Sequence, residues 1–215
     1  MFFQIYGQLL KGKSLLRSLM NYKLKDYELK GEVVDIGGGI NPSYYQYLKI
    51  DKNAIIRSVD LVEGDDNRKI INLEKDPLPF NESSIDQVLL FNILEHIYNY
   101  QFLVGEARRI LKEGGRAIGF VPFFINVHPD PHDFFRYTKE ALELIFKEAK
   151  FKDQQIIIIG LGPFSINFNN IIFLFPRIVN IIIFPLYYFL DLIILKIRPR
   201  LTERFPLGYL FILTK

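Results

Sequence analysis

With no cysteine in the chain, the side chains able to take a proton near neutral pH are three histidines, His96, His128 and His132. Two of them share the segment Asn126-Val127-His128-Pro129-Asp130-Pro131-His132-Asp133-Phe134-Phe135-Arg136-Tyr137-Thr138. Polar groups packed this densely cost free energy if buried unpaired, so the segment either works on a ligand or pairs internally. In the first case His132 or His128 is a base and Arg136 an anion clamp. In the second, His132, Asp133 and Arg136 hold the loop shut. His96, in Leu94-Glu95-His96, serves either as a third base or at a helix start. His128, His132 and Asp133 are metal-ligand types, but two prolines deny them helical spacing and no metal is expected.

A second stretch points to ligand binding through the backbone. Glu32-Val33-Val34-Asp35-Ile36 is a short apolar strand holding an acid, and Gly37, Gly38 and Gly39 follow, letting the chain turn tightly and approach a ligand. Asn41-Pro42 then signals a helix start, by a capping residue and a first-turn proline. Asp60 closes the next strand, Ile55 to Val59, where nucleotide-binding units place an acid for ribose hydroxyls.

The elements that must position these groups alternate. Ile70-Ile71 is a short strand, and Ile85 to Phe91 reads as a central parallel strand because it is almost wholly apolar. A helix is predicted over 100–112, ended by Gly114-Gly115, then a strand from Ala117 to Val121. Thr138 caps a helix reaching Lys150, Gln155 to Ile159 is a strand, and Leu207 to Thr214 is the last. This order predicts an α/β fold, a doubly wound, mostly parallel seven-stranded sheet with ligands at the carboxyl ends of its strands.

The chain has 215 residues and a net charge of +3, unevenly spread. Residues 1–31 carry 6 basic and 2 acidic groups, 32–150 carry 14 and 19, and 151–215 carry 7 and 3. An acidic centre argues against nucleic acid, and no Asn-Pro-Pro-Tyr segment follows Phe91. A nicotinamide oxidoreductase is disfavoured, since its fingerprint wants a further glycine where Ile40-Asn41-Pro42 stands. Absence of cysteine suggests a reducing, cytoplasmic setting.

In order along the chain stand Val33 to Gly39, Asp60, Leu78-Pro79-Phe80 before Ile85-Asp86-Gln87-Val88, Leu94-Glu95-His96, and Ala107 to Arg116. Together they resemble the class I S-adenosylmethionine-dependent methyltransferases, over 31–160 and again over 207–215. The segment from His128 to Thr138 resembles one found in a branch often encoded beside sugar or envelope-polymer enzymes. The resemblance implies a Rossmann-like methyltransferase fold with S-adenosyl-L-methionine as cofactor. Asp35, Gly37, Gly38 and Gly39 would then line its methionine and ribose end, Asp60 and Leu61 its ribose, Asn72 and Leu73 its adenine, and Asn92 its methionine moiety. Family members often have glycine where Asn41 stands and aspartate where Asn72 stands. The acceptor implied is a small molecule, or one linked to sugar or lipid. A non-catalytic module that keeps the fold and docks a partner or membrane through its apolar arm is the alternative.

Two flanks frame this domain of 31–160 plus 205–215. Residues 1–30 read as a basic amphipathic segment, which packs on the domain or lies on a membrane. Residues 161–204 form an apolar helical insertion before the last strand. Within it Ile171 to Leu195 is nearly all apolar but divided by Pro176-Arg177, Pro185 and Asp191, leaving neither part the ~20 residues a span requires. Three readings fit: a lid, a homodimer interface through 164–200, or a surface dipping into an anionic membrane on its inner face, which Lys196, Arg198, Arg200 and Arg204 favour.

Overall fold

The computed structural model describes residues 1–39, 42–60 and 68–215. Two helices open the chain, α1 (Phe2–Leu10) and α2 (Leu15–Leu24), the second capped by the Ser14 hydroxyl, which accepts from the Arg17 amide. They pack on the domain: Ile5, Leu15 and Leu24 are wholly buried. A two-residue strand β1 (Glu28–Leu29) precedes β2 (Glu32–Ile36), and β3 (Lys49–Ile50) pairs with β1 in parallel.

The helix expected from Asn41-Pro42 is not there. Asn41 lies outside the described residues, and beyond Pro42 only a single 3-10 turn, Tyr45–Tyr47, precedes β3. The physical reason lies behind the turn: Tyr44 and Tyr45 both donate their hydroxyls to the buried Asp35 carboxylate, which draws the segment inward and leaves too little chain before β3 for a full helix.

The chain continues through β4 (Ile55–Asp60), β5 (Arg68–Ile70), β6 (Ile85–Phe91), α3 (Tyr100–Ile110), β7 (Leu111–Pro122), α4 (Lys139–Glu148) and β8 (Asp153–Ile159). The insertion holds α5 (Pro163–Ile171), α6 (Arg177–Ile197) and α7 (Leu201–Arg204), and β9 (Gly208–Thr214) closes the sheet. Strand order is β5-β4-β2-β6-β7-β9-β8. The first five run parallel and β9 is antiparallel to both its neighbours, giving a mixed, mostly parallel sheet. Alternate residues feed two apolar layers. Val34, Ile36, Val88 and Leu90 meet α3 and α4, whereas Val33, Leu89, Ile118 and Leu210 meet α1, α2, α5 and α6. Phe120, Phe146, Phe168, Phe184 and Phe211 are fully buried, each contributing about 1.5–3 kcal/mol.

Two boundaries moved. Helix α3 stops at Ile110, before its glycines, because Leu111 turns extended and pairs with Ile85; the register then resumes at Gln87 with Arg116, and Gly114, at φ +76°, serves the displaced stretch between. In the insertion, Pro185 and Asp191 do not divide the apolar run. Residues 177–197 form one continuous helix, which by length and composition alone could cross a membrane, although the sequence predicted otherwise. Asp191 is buried because its carboxylate accepts from the Phe164 and Ser165 amides at the start of α5, while Asn180 donates to the Ile172 and Phe175 carbonyls beyond its end. Asn180 and Asp191, the two polar residues that α6 buries, thus serve the two ends of the segment packed against it.

Candidate functional site

The sheet reverses its winding at β2, flanked by β4 and β6, and Gly37 to Gly39, Asp60 and Asn92 sit at or just beyond the carboxyl ends there. Gly37 and Gly39 have φ of +71° and +63°, the left-handed region, and the Gly37 amide donates to the Val59 carbonyl at 2.8 Å. A Cβ on Gly37 would stand 2.5 Å from Ile93 Cδ1, and one on Gly38 2.3 Å from the Asp35 carboxylate. A Cβ on Gly39 would meet nothing within 4 Å. The first two glycines therefore exist for close packing, whereas at the third a side chain would meet no described atom within 4 Å. Asp60 Oδ2 accepts from the Gly39 amide at 3.0 Å, so acid and turn form one unit.

Not every residue expected at the cofactor faces that space. Leu73 is 1% exposed and belongs to the core, and Asn72 uses its side-chain oxygen to accept from the Glu74 amide of its own turn. Leu61 lies outside the described residues. Asp35 takes hydroxyls from Tyr44 and Tyr45, both at 2.6 Å, and burial together with Asp35 pushes the Tyr44 phenol far up, keeping it a donor. Sequence reasoning missed these tyrosines; the run Tyr44-Tyr45 directly after the glycine turn was the available signal.

Beyond β6, Asn92 has φ of +51°, a conformation asparagine tolerates, and its amide donates to the Phe120 carbonyl. It lines a cavity of about 310 Å³ with Arg17, His96, Phe120, Ile125 and His128. A larger cavity of about 640 Å³ lies at the opposite, amino ends of the strands, between charges such as Asp86 and Lys112 that already pair at 2.7 Å. The smaller cavity is the one lined by His96 and His128. Arg17, from α2, was also missed, and burial lowers its guanidinium below the ordinary value.

The histidines divide. His96 and His128 meet edge to face, ring centres 5.2 Å apart, whereas the His132 residue is exposed and its ring leans on Phe134. His132 contributes its backbone carbonyl, which accepts from His96 Nδ1 and so turns Nε2 inward. His128 Nδ1 lies 3.3 Å from the Asn126 carbonyl and 3.4 Å from Asp133, two acceptors that outweigh an Arg136 nitrogen also at 3.4 Å. Both Nε2 atoms then face Glu95 Oε1, at 3.8 and 3.9 Å. Glu95 is wholly buried, and neither carboxylate oxygen has a hydrogen-bond partner among the described residues. Burial pushes its carboxyl up to about 8, opposed chiefly by its own backbone amide and by Arg136. The sequence signal for Glu95 is a charge set among Ile93, Leu94 and Ile97, which spacing alone does not turn into a role. Ligand atoms of Glu95, His96 and His128 lie within 4.8 Å of one another, so this trio, and not His128, His132 and Asp133, has the convergence a divalent ion would require.

Arg136 is not an open anion clamp. It pairs with Asp133 through both guanidinium ends and donates to the Phe135 carbonyl at 2.8 Å and the Asn126 carbonyl at 3.3 Å. Asp133 is held down to about 2 by Arg136 and then by the His128 amide. The Phe134 amide to the Glu95 carbonyl, 2.8 Å, and the Tyr137 hydroxyl to the Leu94 carbonyl, 3.0 Å, complete the tie between the two loops.

Comparison with known proteins places this geometry. A methyltransferase domain model matches residues 35–119. An uncharacterized protein of Methanocaldococcus jannaschii is 29% identical over 171 residues; the match takes in 74% of this chain and 66% of that protein's length. A methyltransferase structure from Archaeoglobus fulgidus is 16% identical, with 93% of this chain and 94% of that one covered and a TM-score of 0.56. One from Aquifex aeolicus is 17% identical, covering 72% and 93%, with a TM-score of 0.52. Phosphoethanolamine N-methyltransferase 2 of Haemonchus contortus, solved with S-adenosyl-L-methionine, is 16% identical over 91% of this chain and 52% of its own, with a TM-score of 0.57. A methyltransferase domain is thus matched over residues 35–119, and the fold is the one these S-adenosylmethionine-dependent methyltransferase structures share.

Proposed function

We propose that the chain methylates a hydroxyl-bearing acceptor, a small molecule or one linked to sugar or lipid, seated against Asn92, His96 and His128. The observation that carries this reading is a glycine turn joined to Asp60, standing on strand ends near a proton-accepting cluster. S-adenosyl-L-methionine, when bound, supplies a methyl group on a sulfonium, which leaves as a neutral thioether. Gly39 and Asp60 would hold its ribose, and the Gly37–Gly39 backbone its methionine end.

The protein's part is positioning and proton removal. Asn92 and Arg17, both lining the cavity, orient the acceptor. His128 Nε2, on the more open side with its side chain 40% exposed, takes the hydroxyl proton as the oxygen becomes methylated. In its ionised form Glu95 stabilises the resulting imidazolium and can take the proton on, becoming a neutral carboxylic acid.

The test is calorimetry with S-adenosylhomocysteine, followed by methyl transfer from labelled cofactor into aqueous and lipid extracts. The expected result is binding by wild type and by His128→Ala but weakened binding by Asp60→Ala, with label recovered only when His128 is present. No heat from either cofactor form would end this reading.

A further inference from the structure

We infer that the outer face of α6 and the cluster of arginines after it dock the protein in-plane on an anionic phospholipid bilayer. Docking does not depend on methyl transfer. Helix α6 buries Asn180, Phe184, Tyr188 and Asp191 toward the domain and leaves Ile178, Ile182, Leu186, Phe189, Ile193 and Ile197 between 54% and 71% exposed. Their spacing of three and four residues makes one stripe about 28 Å long at 1.5 Å per residue. Phe3, 85% exposed on α1, packs edge-on against Phe2, whose ring stacks on Phe184 and lies tilted 5.9 Å from Phe189. An unbroken apolar strip of this length marks an interaction surface.

Charge decides which partner. Asp191 is the sole carboxylate between Pro163 and Thr202, and it is buried on α5. Exposed Arg177 stands at one end of the stripe, and Lys196, Arg198, Arg200 and Arg204 stand at the other beside the single acid Glu203. Arg198, Arg200 and Arg204 make no ion pair with any described residue, and with Pro199 and Leu201 they line a cavity of about 330 Å³. Two copies of the chain joined stripe to stripe would set cations against cations at whichever end they met. An anionic leaflet answers both needs, taking the stripe into the acyl boundary and a headgroup phosphate among the three guanidiniums.

Crossing the bilayer is a different matter. Lipid on every side of α6 would strip the Asp191 carboxylate from the α5 amides, 2.7 Å away at Ser165, and bury it in hydrocarbon. The helix lies along the surface instead. Docked so, it brings the putting-together of headgroup and site within one loop: Phe205 stacks on Phe124, and the Phe123 amide donates to the Leu207 carbonyl, tying the arginine cavity to the loop that carries His128.

The experiment is flotation of the full chain with phosphatidylcholine vesicles, with and without phosphatidylglycerol. Wild type is expected to float with the anionic vesicles only, and less in high salt. Arg198→Glu with Arg200→Glu and Arg204→Glu should lose at least about tenfold in partitioning, and Ile182→Asn with Phe189→Asn should lose flotation too. Both variants change exposed positions, and unchanged melting temperatures confirm that they fold. Wild type that stays unbound as a dimer, or a charge-reversed variant that floats as well as wild type, overturns the inference. So does calorimetric binding of inorganic phosphate without flotation, which would make the arginine cavity a site for soluble phosphate, and so does retention in alkaline-washed vesicles, which would mean a span.

Discussion

The two ends of the candidate site are built from different materials. At the glycine turn the backbone does the work: φ values of +71° and +63°, an Asp60 carboxylate on the Gly39 amide, and strand ends that hold both in place. At the histidine loop, side chains from distant positions converge, Glu95 and His96 from one loop and His128 from another, clamped by Asp133 and Arg136. Backbone sites restrict residue type locally, whereas side-chain sites depend on how two loops dock. The first should resist substitution except at its glycines and acid; the second should fail in separable ways.

The largest effect is expected at the junction. His128→Ala, or Glu95→Gln, should lower turnover by about 10²–10⁴-fold and leave S-adenosylhomocysteine affinity unchanged. Because Glu95 is raised to about 8, its ionised form grows as pH rises through 8, and turnover should rise with it. Stability moves oppositely: a raised folded-state value means the contribution is complete below the ordinary 4.5 and is lost as pH climbs through about 8. Glu95→Gln should flatten the melting temperature across that window. Equal slopes in variant and wild type would remove Glu95 from the argument.

Asp60→Ala attacks the other end. Loss of a charge-assisted acceptor should weaken cofactor binding by about 2 kcal/mol, roughly 30-fold in Kd, with the histidine cluster untouched. If turnover at saturating cofactor falls as far as affinity, the two ends are coupled and the contrast fails.

How much of this was legible follows the same division. The glycine turn, Asp60 and the alternating strands could be read because backbone geometry writes itself into residue type at fixed spacing. The role of Arg136 could not, since its partner Asp133 is obvious only once the loop is seen to close on itself. Nor could the sorting of the histidines: His96 and His128 lie 32 positions apart yet share a wall, while His132, closer in sequence, faces outward. Helix α6 reads as interrupted because Pro185 and Asp191 are breakers by type, but a cap on a neighbouring helix is invisible along one chain.

A smaller effect is expected from Asp133→Asn, which keeps shape and removes charge. Arg136 retains its two carbonyl acceptors and is 23% exposed at its side chain, so the cost should be about 1–2 kcal/mol by denaturant unfolding. Asp133 is depressed to about 2, so its contribution is present above the ordinary 3.8 and fades as pH falls toward 2. The variant should lack that acid-side loss. Turnover falling along with stability, in proportion to folded protein, would mark the pair as a tie and nothing more.

The smallest effect tests which end Asp35 serves. Its Oδ2 accepts from Tyr44 and Tyr45, each at 2.6 Å, and Tyr45 is the more exposed of the two. Tyr45→Phe removes one donor from a carboxylate that keeps the other, and water can reach the half-buried position, so the expected loss is about 1 kcal/mol of stability. Cofactor affinity should stay within about twofold, a few tenths of a kcal/mol, if the tyrosines only support the turn. A tenfold gain in affinity would mean that they compete with the cofactor for Asp35, and the glycine end would then depend on side chains as the histidine loop does.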